Sequence, residues 1–376
     1  MTSSFELWLQ GTPVDAAFYD LITNLEIEEH ADLPGVLHLR LGLARSADGE
    51  LTAINDPGLQ PMATIAVVAT VADTAPQCIF DGYILSHKLH LETGVTASHL
   101  EVQAQDASWP MSLEEKTREW AEVTDGAVAN TVFGEYGMTP GPDNLTDDSP
   151  AHTEDGHTLM QRDSDWQFLR RLARRTGRLC RVAGGAAPQQ RLGIFAAPLL
   201  AAEPAFVLKP NDLAAPNIGA LDIEWDIARP AKAIARQARL TEDSTASGDT
   251  QESGLAPMDA RALATFAGQT MTTILTSPAD DDEALRARAA ALLREAGWFV
   301  RLTGEVDAAA LHGVLRVGGT VGLAGVGSVH SGNYLVWSVH HRLDDQSHKM
   351  KFVLVRNAVG PAPAAVTGGP PGGGLS

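Results

Sequence analysis

The sequence predicts a mainly β fold with some α structure (α+β), in which two β-rich regions flank a helical and α+β middle region. Residues 5–107 carry short strand patterns at near-regular spacing, which is typical of a small barrel or sandwich. Helical periodicity follows, and strand patterns return after residue 219. With 376 residues, the chain is long enough for two or three domains with a proper core.

The first β-rich region, residues 1–108, is predicted to be one barrel. Turn residues at Gly11, Pro34, Asp48 and Asp56 separate its strand patterns. The patterns are FELWLQ (5–10), LITNLEIEEH (21–30), GVLHLRLGLA (35–44), MATIAVVATVA (62–72), QCIFDGYILSHKL (77–89) and HLEVQAQDA (99–107).

The middle domain, residues 109–214, begins with a segment whose acidic start and spacing indicate one or two helices ending at Gly137. A polar loop follows, and then a strongly marked helix at 163–178. Ser164 is its expected N-cap, with Gln167 completing a capping box, and Gly177 is its expected C-cap. Its apolar stripe consists of Trp166, Phe168, Leu169, Leu172 and Ala173.

Five arginines lie on the other face of this helix: Arg170, Arg171, Arg174, Arg175 and Arg178. They could anchor an acidic partner or an acidic neighbouring subunit. They could also form a solvated face in an acidic protein, which is the interpretation we favour because runs of charge are usually solvated.

The second β-rich region is predicted to comprise 215–240 and 297–359, interrupted by an insertion at 241–296. The insertion should hold a mobile polar loop at 241–254 and a helix at 279–296, with acidic residues in its first turn and Gly297 at its end. A Pro/Gly-rich flexible tail, 360–376, closes the chain.

The two β-rich regions contain similar stretches, 80–107 and 331–359, which suggest an internal duplication. Tyr83-Ile84-Leu85 matches Tyr334-Leu335-Val336, and residues 100–104 match 351–355. Each stretch follows an apolar strand rich in small residues. The alternative is two unrelated hairpins that share only the general pattern of hairpins.

The second of these stretches gathers five potential metal ligands: His340, His341, Asp344, Asp345 and His348. Strand patterns at 334–341 and 350–357 indicate an antiparallel hairpin joined by a polar loop. Adjacent strand residues point to opposite faces, so His340 and His341 should diverge, and no metal-ligand spacing is present. We therefore predict ordinary hairpin histidines and no metal site.

No catalytic or cofactor-binding residue is predicted elsewhere. The chain has no phosphate loop, no nucleophile elbow and no redox cysteine motif. A GxxGxG-like run within 317–327 is flanked by strand residues and leads into a hairpin, whereas a dinucleotide site needs a helix there.

Composition narrows the choice of partners. Lys and Arg number 28 against 47 Asp and Glu, for a net charge of −19, so neither a nucleic-acid grip nor binding to an anionic membrane is expected. Two separated cysteines make a disulfide framework improbable. The N-terminus lacks the pattern of a signal peptide and no apolar run reaches membrane length, so we expect synthesis in the cytoplasm.

The segment RDSDWQFLRRLARRTGRLCRV resembles baseplate hub proteins of contractile-tailed phages and related injection systems, the late-control protein D family. The same segment occurs in the N-terminal hub part of type VI valine-glycine repeat spike proteins. The matching positions are Asp163, Asp165, Trp166, Phe168, Leu169, Arg171, Leu172, Ala173 and Gly177. The order of the barrel, the middle segment and the interrupted second barrel also matches over most of residues 1–359, although the sequence resemblance is specific only in the segment 157–182.

The resemblance implies two tube-like antiparallel β-barrel domains of similar topology. It also implies a structural, non-enzymatic homotrimer that joins a hexameric inner tube to a trimeric spike, in the baseplate of a phage tail or injection particle, among other baseplate or wedge proteins. Because the sequence ends at Ser376 without a spike region, we expect a separate spike protein.

Two other functions stay open. A tail-tip enzyme that degrades cell walls would need a cleft, for instance around His330, His340 and Asp344. A receptor- or carbohydrate-binding tail module would need exposed aromatic residues on loops, yet aromatic residues make up only 6% of the chain.

Overall fold

The computed structural model is built around a sheet of 13 strands. The structure describes residues 3–361 except 45–47, 52, 94–97, 154–157, 211, 213, 239–242 and 277–281. Antiparallel strands dominate and helices are few, so the predicted mainly β fold with some α structure is confirmed. The predicted flexible tail lies outside the described residues from position 362 onward.

The first β unit contains every strand predicted in the N-terminal region. Its elements are β1 (Ser3–Leu9), β2 (Thr12–Pro13), α1 (Ala16–Tyr19), β3 (Ile22–His30), β4 (Val36–Gly42), β5 (Thr64–Val71), β6 (Gln77–His90) and β7 (His99–Asp106). Alternation explains why the predictions succeed: Leu37, Leu39 and Leu41 of β4 are buried, while His38 and Arg40 between them are exposed. A 3₁₀ turn, Pro57–Leu59, precedes β5.

The middle domain follows a second 3₁₀ turn, Pro110–Ser112. Its elements are β8 (Glu115–Trp120), α2 (Asp125–Glu135), β9 (Thr139–Pro140), β10 (Leu159–Ser164), α3 (Asp165–Thr176), β11 (Leu179–Gly184) and β12 (Arg191–Ala196). The helix predicted from residue 112 is wrong over β8, which pairs antiparallel with β10. Only α2 is helical there, capped by the Thr124 side chain and followed by Gly137 at φ 69°.

The rest of the chain forms the second β unit and an insertion. The elements are β13 (Phe206–Leu208), β14 (Leu221–Trp225), β15 (Lys232–Ala238), β16 (Thr245–Ser247), β17 (Arg261–Ala262), α4 (Leu263–Ala267), β18 (Thr272–Leu275), α5 (Asp282–Ala296), β19 (Val300–Asp307), α6 (Ala308–Leu311), β20 (Thr320–Leu323), β21 (Gly332–Leu343), β22 (His348–Arg356) and β23 (Ala358–Val359). The helix predicted at 279–296 is present from Asp282, and residues 279–281 lie outside the described residues.

Two assignments near the insertion differ from the sequence interpretation. Residues 232–238 pair with β16 and β18, not with the second β unit, and this small sheet packs its alanines on α5. The segment predicted as a mobile loop, 241–254, contains β16 and a bridge from Thr250 to Ala233. Short stretches rich in Ser and Thr can pair as edge strands although they lack the alternating apolar pattern from which a strand is predicted. The domain boundaries themselves remain a prediction.

The two β units have the same strand order. It is β3-β4-β7-β6-β5 in the first unit and β14-β19-β22-β21-β20 in the second, with antiparallel neighbours throughout. The next strand differs, since β1 lies antiparallel to β5 whereas β13 lies parallel to β20. The cores of both units belong to one continuous apolar cluster.

A bulge fixes the correspondence between the units. The β6–β7 register shifts between Ile84 and Ser86, and the β21–β22 register shifts between Val336 and Ser338. Ile84 therefore corresponds to Val336, one residue beyond the Leu335 that the sequence comparison suggests. The alignment of residues 100–104 moves by one in the opposite direction, to 350–354, because Ala104 lies opposite Ile84 and Leu354 opposite Val336.

Candidate functional site

The hairpin that carries the histidines consists of β21 and β22. The loop between them is Asp344 to Ser347, where the Asp344 carboxylate accepts backbone N–H bonds from Gln346 (2.9 Å) and Ser347 (2.6 Å). Asp344 thus closes the turn. His340 and His341 diverge as predicted: His341 is fully buried and His340 is half-buried on the opposite face.

The structure brings His341 and His348 together across the hairpin, which the sequence analysis missed. His341 Nδ1 lies 2.9 Å from His348 Nε2, and His341 Nε2 lies 3.3 Å from a Glu29 carboxylate oxygen. Glu29 also receives bonds of 2.8–3.1 Å from the Arg316 guanidinium, which donates a further bond to the Cys78 carbonyl (3.0 Å). We call Glu29, Arg316, His341 and His348 the junction network, because it links β3 and β6 of the first unit to the second.

Burial and charge set the protonation of this network. Burial alone would raise the pKa of Glu29, but Arg316 and His341 outweigh it and lower that pKa to about 2. Burial lowers the pKa of His341, an effect that Glu29 only partly offsets, and lowers the pKa of His348 to about 3. Both rings are therefore neutral near pH 7: one His341 nitrogen donates to Glu29 and the other accepts from His348.

The network is suited to holding two β units together, because its side chains come from both of them. The described residues contain no group of three or more His, Cys, Asp or Glu side chains placed to hold a metal ion. The prediction that the hairpin binds no metal remains a prediction. Burial also raises the pKa of the Cys78 and Cys180 thiols, the former to about 12, so both stay protonated and are poor nucleophiles.

The residues named for a possible hydrolytic cleft are spread along one strand. His330 precedes β21 and accepts a bond from the Tyr334 hydroxyl at its carbonyl (2.7 Å), while His340 and Asp344 lie at the other end. A strand rises about 3.3 Å per residue, so Gly332, at the start of β21, and His340 are roughly 26 Å apart. The structure does not assemble these three side chains.

Helix α3, the segment that carries the family resemblance, has the predicted caps. The Ser164 hydroxyl accepts the Gln167 N–H (3.5 Å), and Gly177 adopts φ 67° at the C-cap. The five residues of the predicted stripe are all buried, none more than 2% exposed: Trp166, Phe168, Leu169, Leu172 and Ala173. They form the core of the middle domain with the apolar face of α2.

Asp165, at the first turn of α3, explains why the resemblance includes an acidic residue there. It is fully buried and accepts bonds from Lys116 Nζ (2.5 Å), the Tyr136 hydroxyl (2.7 Å) and Gln161 Nε2 (2.7 Å). Burial would raise its pKa, but Lys116 and the other donors outweigh burial and lower it. These partners were missed because they lie on β8, directly after α2 and on β10, outside the helix itself. Asp165 has a structural role.

The five arginines are only partly solvated, so the favoured interpretation is wrong for two of them, and Arg178 lies beyond α3, which ends at Thr176. Arg171 and Arg174 are exposed, as expected. Arg175 donates to the buried Asp125 carboxylate (2.7 Å). Arg178 is 6% exposed and donates to backbone carbonyls of the loop that precedes β10 and of β12, namely those of Asn144 (2.8 Å), Thr146 (2.9 Å), Asp147 (2.6 Å) and Phe195 (3.1 Å).

The junction of the two β units is the feature best suited to a mechanical role. Six residues of β21, Ser338 to Leu343, pair antiparallel with six of β3, Leu25 to His30. On one face Glu26 accepts bonds from Arg342 (3.1 Å) and lies 3.3 Å from the His340 ring, and on the other face lies the junction network. No helix that the structure describes is long and apolar enough to cross a membrane.

The sequence matches one protein family along most of its length. The profile of the Alg8 N-terminal domain matches residues 3–345. A comparison with curated proteins finds no match.

Solved structures with a similar fold come from phage tails and type VI secretion. The 43 kDa tail protein of prophage MuSo2 from Shewanella oneidensis superposes with a TM-score of 0.67 at 14% identity, over 95% of this chain and 100% of that one. A tail protein from Neisseria meningitidis MC58 gives 0.64 at 14% identity, over 96% and 98%. The E. coli c3393 protein, a type VI secretion component described as similar to the T4 tail proteins gp27 and gp5, gives 0.56 at 15% identity, over 95% and 79%. At these identities the likeness establishes the fold.

Proposed function

The chain belongs to the family of the Alg8 N-terminal domain and has the fold of phage tail and type VI secretion proteins, and from this premise we propose that it is a structural baseplate hub. Its role is mechanical: as a homotrimer it joins a sixfold inner tube to a threefold spike supplied by another chain. It resides in the baseplate of a phage tail or injection particle and contacts other baseplate or wedge proteins. The closer assignment to the late-control protein D family is part of the proposal.

One observation carries the proposal. Two β units with the same strand order and the same bulge are joined edge to edge in one chain. Three such chains present six similar units to a hexameric tube, while the middle domain and the insertion occur only three times and suit a threefold partner. A duplicated chain is the simplest way to join the two symmetries.

The proposal includes the absence of enzymatic activity. The buried carboxylates of the middle domain, Asp125 and Asp165, are held by Arg175 and Lys116 in structural ion pairs, and the named histidines are not gathered in a cleft. No specific observation favours the cell-wall enzyme or the receptor-binding module. A peptidoglycan turbidity assay of the purified chain should be negative across pH, and lysis that is lost in a single-residue variant would contradict the proposal.

Electron microscopy of the assembled particle tests the hub. With a tag on the tail after Pro361, label should appear on the particle axis between tube and spike, in three copies. A chain located off the axis, or one present in six copies, would show that it is not the adaptor.

A further inference from the structure

Within the chain, the second half of β21 is covered by β3. The pairs directly opposite each other are Ser338 and His30, Val339 and Glu29, His340 and Glu28, His341 and Ile27, Arg342 and Glu26, and Leu343 and Leu25. Val339, His341 and Leu343 are buried as a result. This is the only strand pairing between the two units in the described part of the chain, and it serves as a template for contacts between copies.

The corresponding strand of the first unit, β6, has no such cover on its second half. The bulge matches His87 to Val339, Lys88 to His340, Leu89 to His341, His90 to Arg342 and Leu91 to Leu343. Residues 86–90 pair with β7 on one side, and no described strand pairs with them on the other. Ser86 to Leu89 are all exposed, and Leu89 and Leu91 are 44% and 58% exposed.

The strand that corresponds to β3 is β14, and it too has a free edge. The register from one unit to the other passes through matched positions Ala104 and Leu354, Leu37 and Leu302, and Ile27 and Ile223. Among the described strands, β14 pairs with β19 alone. Leu25 and Ile27 of β3 are fully buried, whereas their counterparts Leu221 and Ile223 are half-exposed and Trp225 is 49% exposed.

From these two uncovered edges we propose that β14 of one copy pairs antiparallel with residues 86–91, the end of β6 and the residue after it, in a second copy of this chain. The template sets the register: His87 opposite Trp225, Lys88 opposite Glu224, Leu89 opposite Ile223, His90 opposite Asp222 and Leu91 opposite Leu221. The proposal deepens the hub function and rests on it for the number of copies, which is three.

The chemistry of both faces fits this partner. On the inner face, Leu89 and Leu91 meet Ile223 and Leu221, so the exposed apolar side chains of each edge cover those of the other. On the outer face, Lys88 meets Glu224 just as His340 and Arg342 meet the acidic side chains of β3 within the chain. An exposed strand edge is an aggregation hazard unless a defined partner covers it. Because the two edges differ, each copy uses one edge on either side and a ring can close.

Paired cysteines test the register. Lys88→Cys with Glu224→Cys places two cysteines directly opposite each other, at a Cβ separation of about 4.5–5.5 Å that a disulfide can span with a small adjustment. Lys88→Cys with Ile223→Cys is the matched control, because its cysteines would lie one residue out of register and on opposite faces. The native Cys78 and Cys180 are buried and should not interfere. Concentrated protein is oxidised, run on a non-reducing gel and mapped for the linked peptide, and sedimentation reports association of the same samples.

The expected result is a covalent trimer from the Lys88→Cys/Glu224→Cys chain. A mixture of the two single variants should give covalent dimers only, and the control pair should give several-fold less product. A ladder that continues beyond three supports the strand pairing but overturns the three-copy hub. A trimer in sedimentation without the disulfide between positions 88 and 224, or with equal linkage in the control, overturns the strand pairing and leaves the hub standing. A chain that stays monomeric and unlinked at every concentration also overturns the pairing, while the particle micrograph decides the hub.

Discussion

At the scale of single residues, distant partners decide what each charged or ionisable side chain does. His341 contacts both His348 and Glu29, and Glu29 is more than 300 positions away in sequence. The hairpin pattern predicts that His340 and His341 diverge, and they do. No local pattern could predict the contacts of Glu29, because the side chains that bind it come from the other end of the chain.

The neutral histidine pair makes the stability of the fold depend on pH. The folded-state pKa of His348 is lowered to about 3, below its value near 6.5 in the unfolded chain, so its contribution is complete above pH 6.5 and is lost as pH falls toward 3. His348→Gln keeps a donor for His341 but cannot titrate. The free energy of unfolding of this variant, from urea melts, should fall less steeply than that of the native protein between pH 6.5 and 4.

The exposed His38→Gln is the control and should leave the slope unchanged, because the side chain of His38 lies outside the core. Equal slopes for native protein and His348→Gln would mean that the pair is already charged in the folded state.

The arginines in and directly after α3 differ in burial: some charges are solvated and others are buried. Arg178→Met leaves several buried carbonyls without a donor and should lower the free energy of unfolding by at least about 1–3 kcal/mol, the cost of one unsatisfied buried acceptor. Arg171→Ala, which removes an exposed pair with Asp163, should cost less than about 1 kcal/mol. Urea melts of both variants test this, and equal losses would contradict the distinction.

At the scale of elements, the strongest local signals predict structure well. Strands β1, β4 and β7 of the first unit alternate clearly, and α3 has a Ser cap, an apolar stripe and a C-terminal glycine, so its bounds follow from the sequence. The prediction fails at β8, where Glu and Lys favour a helix on intrinsic propensity. Pairing with β10 overrides that propensity, and the pairing is a tertiary fact. The prediction for the insertion fails for the same reason, because the strands that pair with β15 and β16 lie around α5.

Truncation of Leu169 tests how much α3 contributes to the stability of the middle domain. It is fully buried between α2 and the sheets of that domain. Leu169→Ala should lower the free energy of unfolding by about 2–5 kcal/mol, because truncation removes buried surface and leaves a cavity. Met160→Ala is the control on the neighbouring β10, where the side chain is 38% exposed, and should change stability by about 0.5 kcal/mol or less. A loss below about 1 kcal/mol for Leu169→Ala would show that the helix is peripheral.

At the scale of the whole molecule, the chain is two like units whose shared core and common sheet make them one body. The sequence indicates the likeness through an internal echo, off by one residue because a bulge is invisible without the pairing partner. The sequence does not show that β3 and β21 form the joint. That joint is made by residues from opposite ends of the chain, and its buried charges are the part most sensitive to change.

The ion pair between Glu29 and Arg316 should therefore control how firmly the two units are joined. Arg316→Met leaves the half-buried Glu29 carboxylate without its main partner and should lower the free energy of unfolding by at least about 1–3 kcal/mol, the cost of an unsatisfied acceptor. In Arg316→Met with Glu29→Gln, the neutral amide can still accept from His341, so much of that loss should be recovered. Arg342→Ala, at the exposed outer face of the same joint, should cost less than about 1 kcal/mol. Double-mutant cycles from urea melts give the coupling energy. Additive losses for the Glu29 and Arg316 substitutions would show that the two side chains act independently, and that the apolar core alone holds the units together.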